Sequence, residues 1–166
     1  MSPPSDAELA RVAARLGDLL RERAWRLATA ESSTGGLIGH AITMTPGASD
    51  YYVGGVICYS NLAKELLLGV PHDLIEAHGA VSHEVAAALA EGAAHRFGTE
   101  VGMSVTGIAG PDGGQPGKPV GTVWFGWAWR AGVEIETRVA LETFGGDREA
   151  VRRQTVARAL GELLRM

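Results

Sequence analysis

A chain of 166 residues, 46% apolar and 20% charged, has the size and balance of one globular domain with a substantial core. Its net charge of −4, with no long basic run, excludes a broad electrostatic footprint for nucleic acid. A lone cysteine, Cys58, excludes an internal disulfide and a Cys-rich zinc site; with neither a signal-peptide pattern nor a membrane-length apolar run, the expectation is a single cytoplasmic domain over residues 1–166.

The elements follow in order. Ser5 or Asp6 caps a first helix whose Leu9, Val12, Ala13, Leu16, Leu19 and Leu20 recur at helical spacing. A strand from about Trp25 to Ala30 runs into Glu31-Ser-Ser-Thr-Gly-Gly36, and a helix continues to about Thr43. After the break at Pro46–Asp50, Val53–Tyr59 reads as a buried strand with room for close backbone approach at Gly54 and Gly55. Ser60-Asn61 opens a short helix carrying Lys64, Pro71 opens another to about His78, and Ser82 caps a long Ala-rich helix to about Arg96. A third strand, Val101–Thr106, enters the irregular segment Gly107–Pro119. Strands at Val120–Trp129 and Val133–Leu141 form a hairpin, and Asp147 caps a final helix. Helix-separated strands followed by a hairpin predict an α/β fold: a mixed, mostly parallel sheet with helices on both faces.

In such folds ligands gather where strands end and helices begin. The turn after the first strand holds three hydroxyls, Ser32, Ser33 and Thr34, then Gly35 and Gly36. It is equally readable as a plain helix entrance with a hydroxyl cap. Tyr59 at the second strand end, Lys64 one helical turn on, and Thr106-Gly107 at the third converge on the same edge of a parallel sheet. A lysine kept neutral by desolvation can take the proton of a serine nucleophile. Judged from these residues alone, a solvated Lys64 and an amphiphilic strand-end Tyr59 are the better fit. Backbone amides of the Thr106–Pro119 loop can wrap an anion, and Arg148 at a helix start can meet a phosphate or carboxylate; a flexible loop and a surface salt bridge are the bland alternatives. Ser49 either points to that edge or caps a short helix. Familiar signatures fail. Gly117-Lys118 is followed by Pro119 instead of a hydroxyl residue. Ser60 and Lys64 are one residue too far apart for a Ser-x-x-Lys pair, and the five histidines show no metal spacing.

Several motifs occur in one order: Ala30-Glu-Ser-Ser-Thr-Gly-Gly36, Pro46-Gly-Ala-Ser49, Gly55-Val-Ile-Cys-Tyr-Ser-Asn61 with Ala63-Lys64, His78-Gly-Ala-Val-Ser82, Ser104-Val-Thr-Gly-Ile-Ala-Gly-Pro-Asp112, Lys118-Pro-Val-Gly-Thr-Val123 and Gly146-Asp-Arg148. Together they closely resemble the CinA C-terminal domain family, competence/damage-inducible-type proteins that act as nicotinamide-nucleotide amidohydrolases. The resemblance implies a three-layer α/β/α sandwich with a five-stranded mixed sheet. It implies hydrolysis of nicotinamide mononucleotide (NMN) to nicotinate mononucleotide and ammonia in pyridine-nucleotide salvage, without metal or cofactor. By position, Ser32 matches the nucleophile, Lys64 the base and Tyr59 its partner. Ser33, Thr34, Gly35, Ser49, Thr106, Gly107 and Arg148 match substrate-binding positions, with Thr34 and Gly35 shaping the helix entrance. Ser33 stands where the family usually has cysteine. Many CinA proteins also carry a large N-terminal domain that this sequence lacks, so a stand-alone enzyme is expected. Apolar helix surfaces permit a dimer or trimer, and a homo-oligomer is expected, with no membrane or direct nucleic-acid partner. The alternative reading is a non-catalytic nucleotide-binding or competence/DNA-damage interaction module.

Overall fold

A computed structural model describes residues 2–166. Helix α1 (Asp6–Arg23) begins in a reciprocal cap: the Ser5 hydroxyl accepts the Glu8 amide at 3.2 Å, and the Glu8 carboxylate accepts the Ser5 amide at 2.6 Å. Strand β1 (Leu27–Glu31) leads to α2 (Leu37–Thr43), and a 3-10 turn (Ala48–Asp50) leads to β2 (Tyr52–Ile57). Helices α3 (Asn61–Leu68), α4 (His72–His78) and α5 (His83–Phe97) precede β3 (Val101–Gly107). The hairpin β4 (Thr122–Ala131) and β5 (Glu134–Thr143) is followed by α6 (Arg148–Leu163). Ser60, Ser82 and Asp147 cap α3, α5 and α6 as their positions predict, each accepting an amide three residues on.

The five strands form one sheet in the order β2-β1-β3-β4-β5. Strand β1 pairs parallel with β2 and β3, while β3–β4 and β4–β5 are antiparallel, so four of the five strands point the same way and β4 is reversed. One face packs on α1, α2 and α6 through Leu9, Leu16, Leu20, Ile38, Ile42, Val156 and Leu160. There Phe125 and Trp127 stack at 5.6 Å, and the Trp127 indole donates to Ala159 O at 3.0 Å, which satisfies its only donor inside the core. The other face packs on α3, α4 and α5 through Ala28, Ala30, Leu68, Ile75, Val85 and Leu89. Here the contact is backbone-close: a Cβ on Gly102 would run into the Ala90 carbonyl, and one on Gly126 into the Ala86 carbonyl. This is the three-layer α/β/α sandwich.

One expectation about the sheet fails. The Val53–Tyr59 run suggested a buried strand, but β2 ends at Ile57 and lies at the edge of the sheet, with Val53, Gly55 and Ile57 exposed. Valine, glycine and isoleucine satisfy either a central or an edge strand, because local composition does not record how many neighbours a strand has. Among the described residues, no helix is long and apolar enough to cross a membrane.

Candidate active site

Because β1, β2 and β3 run parallel, with the β1–β2 register shifting once between Leu27 and Ala28, their C-terminal ends, Glu31 beside Ile57 and Val105, open on one side of the sheet. Ser32 follows β1 directly, and its amide donates to Val105 O on β3 at 3.2 Å, which ties the turn to the neighbouring strand. The chain then reverses into α2 through Gly35 (φ 58°) and Gly36 (φ 102°), left-handed conformations that favour glycine. From β2 the chain passes through Cys58 and Tyr59 to α3, which carries Lys64 inward.

Lys64 is 1% exposed, and its Nζ lies 3.2 Å from Ser32 Oγ, 2.8 Å from Cys58 O and 3.3 Å from Tyr59 O. No carboxylate pairs with it among the described residues. Burial pulls its pKa below the ordinary lysine value of 10.5. The amine's N–H donors meet three acceptors, Cys58 O, Tyr59 O and Ser32 Oγ, and loss of one proton would leave a lone pair for the Ser32 O–H with both carbonyl contacts kept. Lys64 is therefore not the solvated surface cation that the residues alone favoured. Behind it, burial pushes the Cys58 thiol up to about 11, so this sulfur stays protonated.

Ser32 and Lys64 open into a cleft of about 310 Å³, which Ser33, Tyr59, Thr106, Gly107 and Arg148 also line. Neither the Ser33 amide nor its hydroxyl makes a hydrogen bond within the described residues, so both are available to a bound molecule. Thr106 is buried, and its hydroxyl donates to Ala80 O at 2.8 Å, fixing the Ala80–Val81 wall of the cleft. The Arg148 guanidinium donates to Gly110 O at 2.7 Å and to the Tyr59 hydroxyl at 3.3 Å, and a second cleft of about 630 Å³ lies on its other side.

Four expected site residues stand elsewhere or act differently. Ser49 sits on the 3-10 turn before β2, at the opposite end of the sheet, on the order of 15 Å from Ser32 at ~3.3 Å per strand residue. A turn that enters a parallel strand cannot share an edge with turns that leave its neighbours. Thr34 and Gly35 do not line the cleft. The Thr34 hydroxyl is buried and donates to the Glu31 carboxylate at 2.6 Å, while Gly35 lies below the Arg152 guanidinium. Tyr59 meets Lys64 through its main-chain carbonyl, and its hydroxyl turns to Arg148 instead. Asn61 and Asp112 also line the cleft. Asn61 was discoverable, since it precedes Lys64 by three residues on one helix and so shares its face. Asp112 lies in the irregular loop, where no periodicity marks direction.

Fold and site together define an α/β/α domain with a serine–lysine pair at the carboxyl ends of parallel strands. The family model of the CinA C-terminal domain matches residues 9–166, and the chain belongs to that family. It is 49% identical to nicotinamide-nucleotide amidohydrolase PncC of Pseudomonas putida, covering 93% of this chain and 94% of that protein. It is 45% identical to the PncC of Enterobacter agglomerans, covering 97% and 96%. A CinA-like protein of Salinibacter ruber is 58% identical over 68% of this chain, but the match spans only 27% of that longer protein. Among solved structures, a competence damage-inducible protein A from Klebsiella pneumoniae superposes with a TM-score of 0.90 at 34% identity, over 95% of each chain.

Proposed function

We propose that this protein is a nicotinamide-nucleotide amidohydrolase that converts NMN to nicotinate mononucleotide and ammonia and feeds pyridine-nucleotide salvage. One observation carries the mechanism: a buried lysine amine, held by two carbonyls, faces a serine hydroxyl at 3.2 Å inside a cleft. Lys64 takes the Ser32 proton as Oγ forms a bond to the carboxamide carbon. Collapse of the tetrahedral adduct breaks the C–N bond, Lys64 returns the proton to the leaving nitrogen, and ammonia departs. Water then attacks the acyl ester while Lys64 accepts its proton; as the C–Oγ bond breaks Lys64 hands that proton to Ser32 Oγ, and the acid product loses its own proton to solvent. The free Ser33 amide suits the developing oxyanion, a donor commonly worth about 3 kcal/mol. Arg148 and the Ala109–Gly113 backbone suit the phosphate. Tyr59 serves by orienting Arg148 through its hydroxyl and Lys64 through its carbonyl.

Ammonia release from NMN is measured for the wild type, Ser32→Ala and Lys64→Ala. Both variants are expected to lose at least ~100-fold in kcat. A Ser32→Ala protein with wild-type turnover removes the covalent mechanism. NMN binding by calorimetry with no ammonia from the wild type would instead favour a binding module. The proposal includes a cytoplasmic location, which the single buried thiol supports. It also includes self-association, supported by the exposed Val53 and Ile57 on β2 and Leu62 and Leu66 on α3. Light scattering that gives the monomer mass at every concentration removes self-association.

A further inference from the structure

Glu31, the residue before the nucleophile, is an acid buried to 3% exposure. It faces no cation. Its carboxylate accepts the Thr34 hydroxyl at 2.6 Å, the Ile38 amide at 2.8 Å and the Gly39 amide at 3.0 Å. Two of these three bonds also satisfy amides in the first turn of α2. Both sides of the Ser32-Ser33 segment are thereby fixed, since Glu31 precedes it and Thr34 follows it. The Glu31 carbonyl does a second job: it accepts the Cys58 amide at 2.8 Å, and the Cys58 carbonyl in turn accepts Lys64 Nζ at 2.8 Å. One residue thus borders the serine through its side chain and the lysine through its main chain.

Resting on the Ser32–Lys64 assignment above, we infer that Glu31 is a positioning residue for the nucleophile: its buried carboxylate, clamped on Thr34 and the start of α2, holds the turn that aims Ser32 Oγ at Lys64 Nζ. A helix cap alone would need only the Ile38 and Gly39 amides. The shortest of the three bonds goes to Thr34, inside the turn itself. Loss of the clamp frees the turn without touching Arg148 and the Ala109–Gly113 backbone that suit the phosphate, so acylation suffers more than binding. A shift of about 1 Å at a reacting group can cost on the order of 100-fold in rate.

The test compares wild type, Glu31→Ala, Glu31→Gln and Thr34→Val. It reads labelling of Ser32 by a fluorophosphonate, located by mass spectrometry with Ser32→Ala as the blank, together with kcat and KM for NMN. Melting curves establish the folded fraction. Glu31→Ala is expected to slow labelling and kcat by about 10- to 100-fold with KM within about threefold. Glu31→Gln, which keeps one carbonyl oxygen for Thr34 and Ile38, recovers part of that loss, and Thr34→Val shows a smaller loss of the same kind. Labelling and kcat within twofold of wild type in folded Glu31→Ala overturn the inference, as does a loss confined to KM. If Glu31→Ala does not fold, Glu31→Gln and Thr34→Val decide by the same two readouts. A wild type that is not labelled at Ser32 overturns the serine–lysine assignment and the inference with it. A labelled wild type with unaffected variants overturns the inference alone.

Discussion

Lys64 is a cation-forming side chain buried where no carboxylate meets it. Its folded pKa lies below 10.5, so between the two values the unfolded chain binds more protons and stability rises with pH up to about 10.5. Lys64→Met should therefore raise the melting temperature at neutral pH, by about 2–4 °C per kcal/mol of relief, with the gap closing as pH approaches 10.5. A melting temperature that falls at neutral pH would show that the amine is held by more than it costs. Activity should follow the same group: kcat/KM rises with pH until Lys64 is neutral and then levels, so a flat profile on the acid side sinks the base assignment. Tyr51 offers a contrasting test. Its hydroxyl is buried against Gly17 with no hydrogen-bond partner among the described residues. Tyr51→Phe is expected to leave stability unchanged or raise it by about 1 kcal/mol in urea unfolding, since an orphan hydroxyl is removed with little volume. At this scale strand ends and caps direct Ser32, Lys64 and Arg148 to one edge, but the residues alone favour a solvated Lys64 and leave Ser32 one of three hydroxyls; the family resemblance is what singles both out. The turning of Thr34 and the Tyr59 hydroxyl away from their expected partners depends on a rotamer and a neighbour that sequence spacing does not encode.

At the level of elements, the helices were readable because caps and apolar spacing are local. Ser5, Ser60, Ser82 and Asp147 each mark a start that the structure keeps. Strand neighbours are non-local, which is why β2 could be recognised as a strand but not as an edge, and why Ser49 was assigned to the wrong end of it. The Ala-rich α5 shows the opposite case. Its small residues read as ordinary helix formers, yet they let the helix backbone lie directly over Gly102 and Gly126. Gly126→Val should destabilise the domain by about 1–3 kcal/mol through overpacking against the Ala86 carbonyl and Ser104 Oγ, measured by urea unfolding. A neutral result would mean that α5 can lift off the sheet without cost.

Across the whole molecule, the site divides its labour between distant parts of the chain. The Ser32–Lys64 pair comes from the turn after β1 and from α3, while Arg148 comes from the start of α6 and reaches the cleft through Gly110 and Tyr59. Arg148→Ala is expected to raise KM about 10- to 100-fold, the equivalent of losing a charge-assisted contact of roughly 1.5–3 kcal/mol, while kcat stays within a few-fold. An unchanged KM would place the phosphate elsewhere. This division also has a timing. A ribosome making the chain at roughly 5–20 residues per second exposes Lys64 on the order of 10 s before Arg148. A nascent or C-terminally clipped polypeptide lacks α6, and with it both the Val156, Ala159 and Leu160 part of the core and the Arg148 side of the cleft. On the function proposed above, docking of the last helix completes the cleft, so turnover of substrate would double as a certificate that synthesis reached α6.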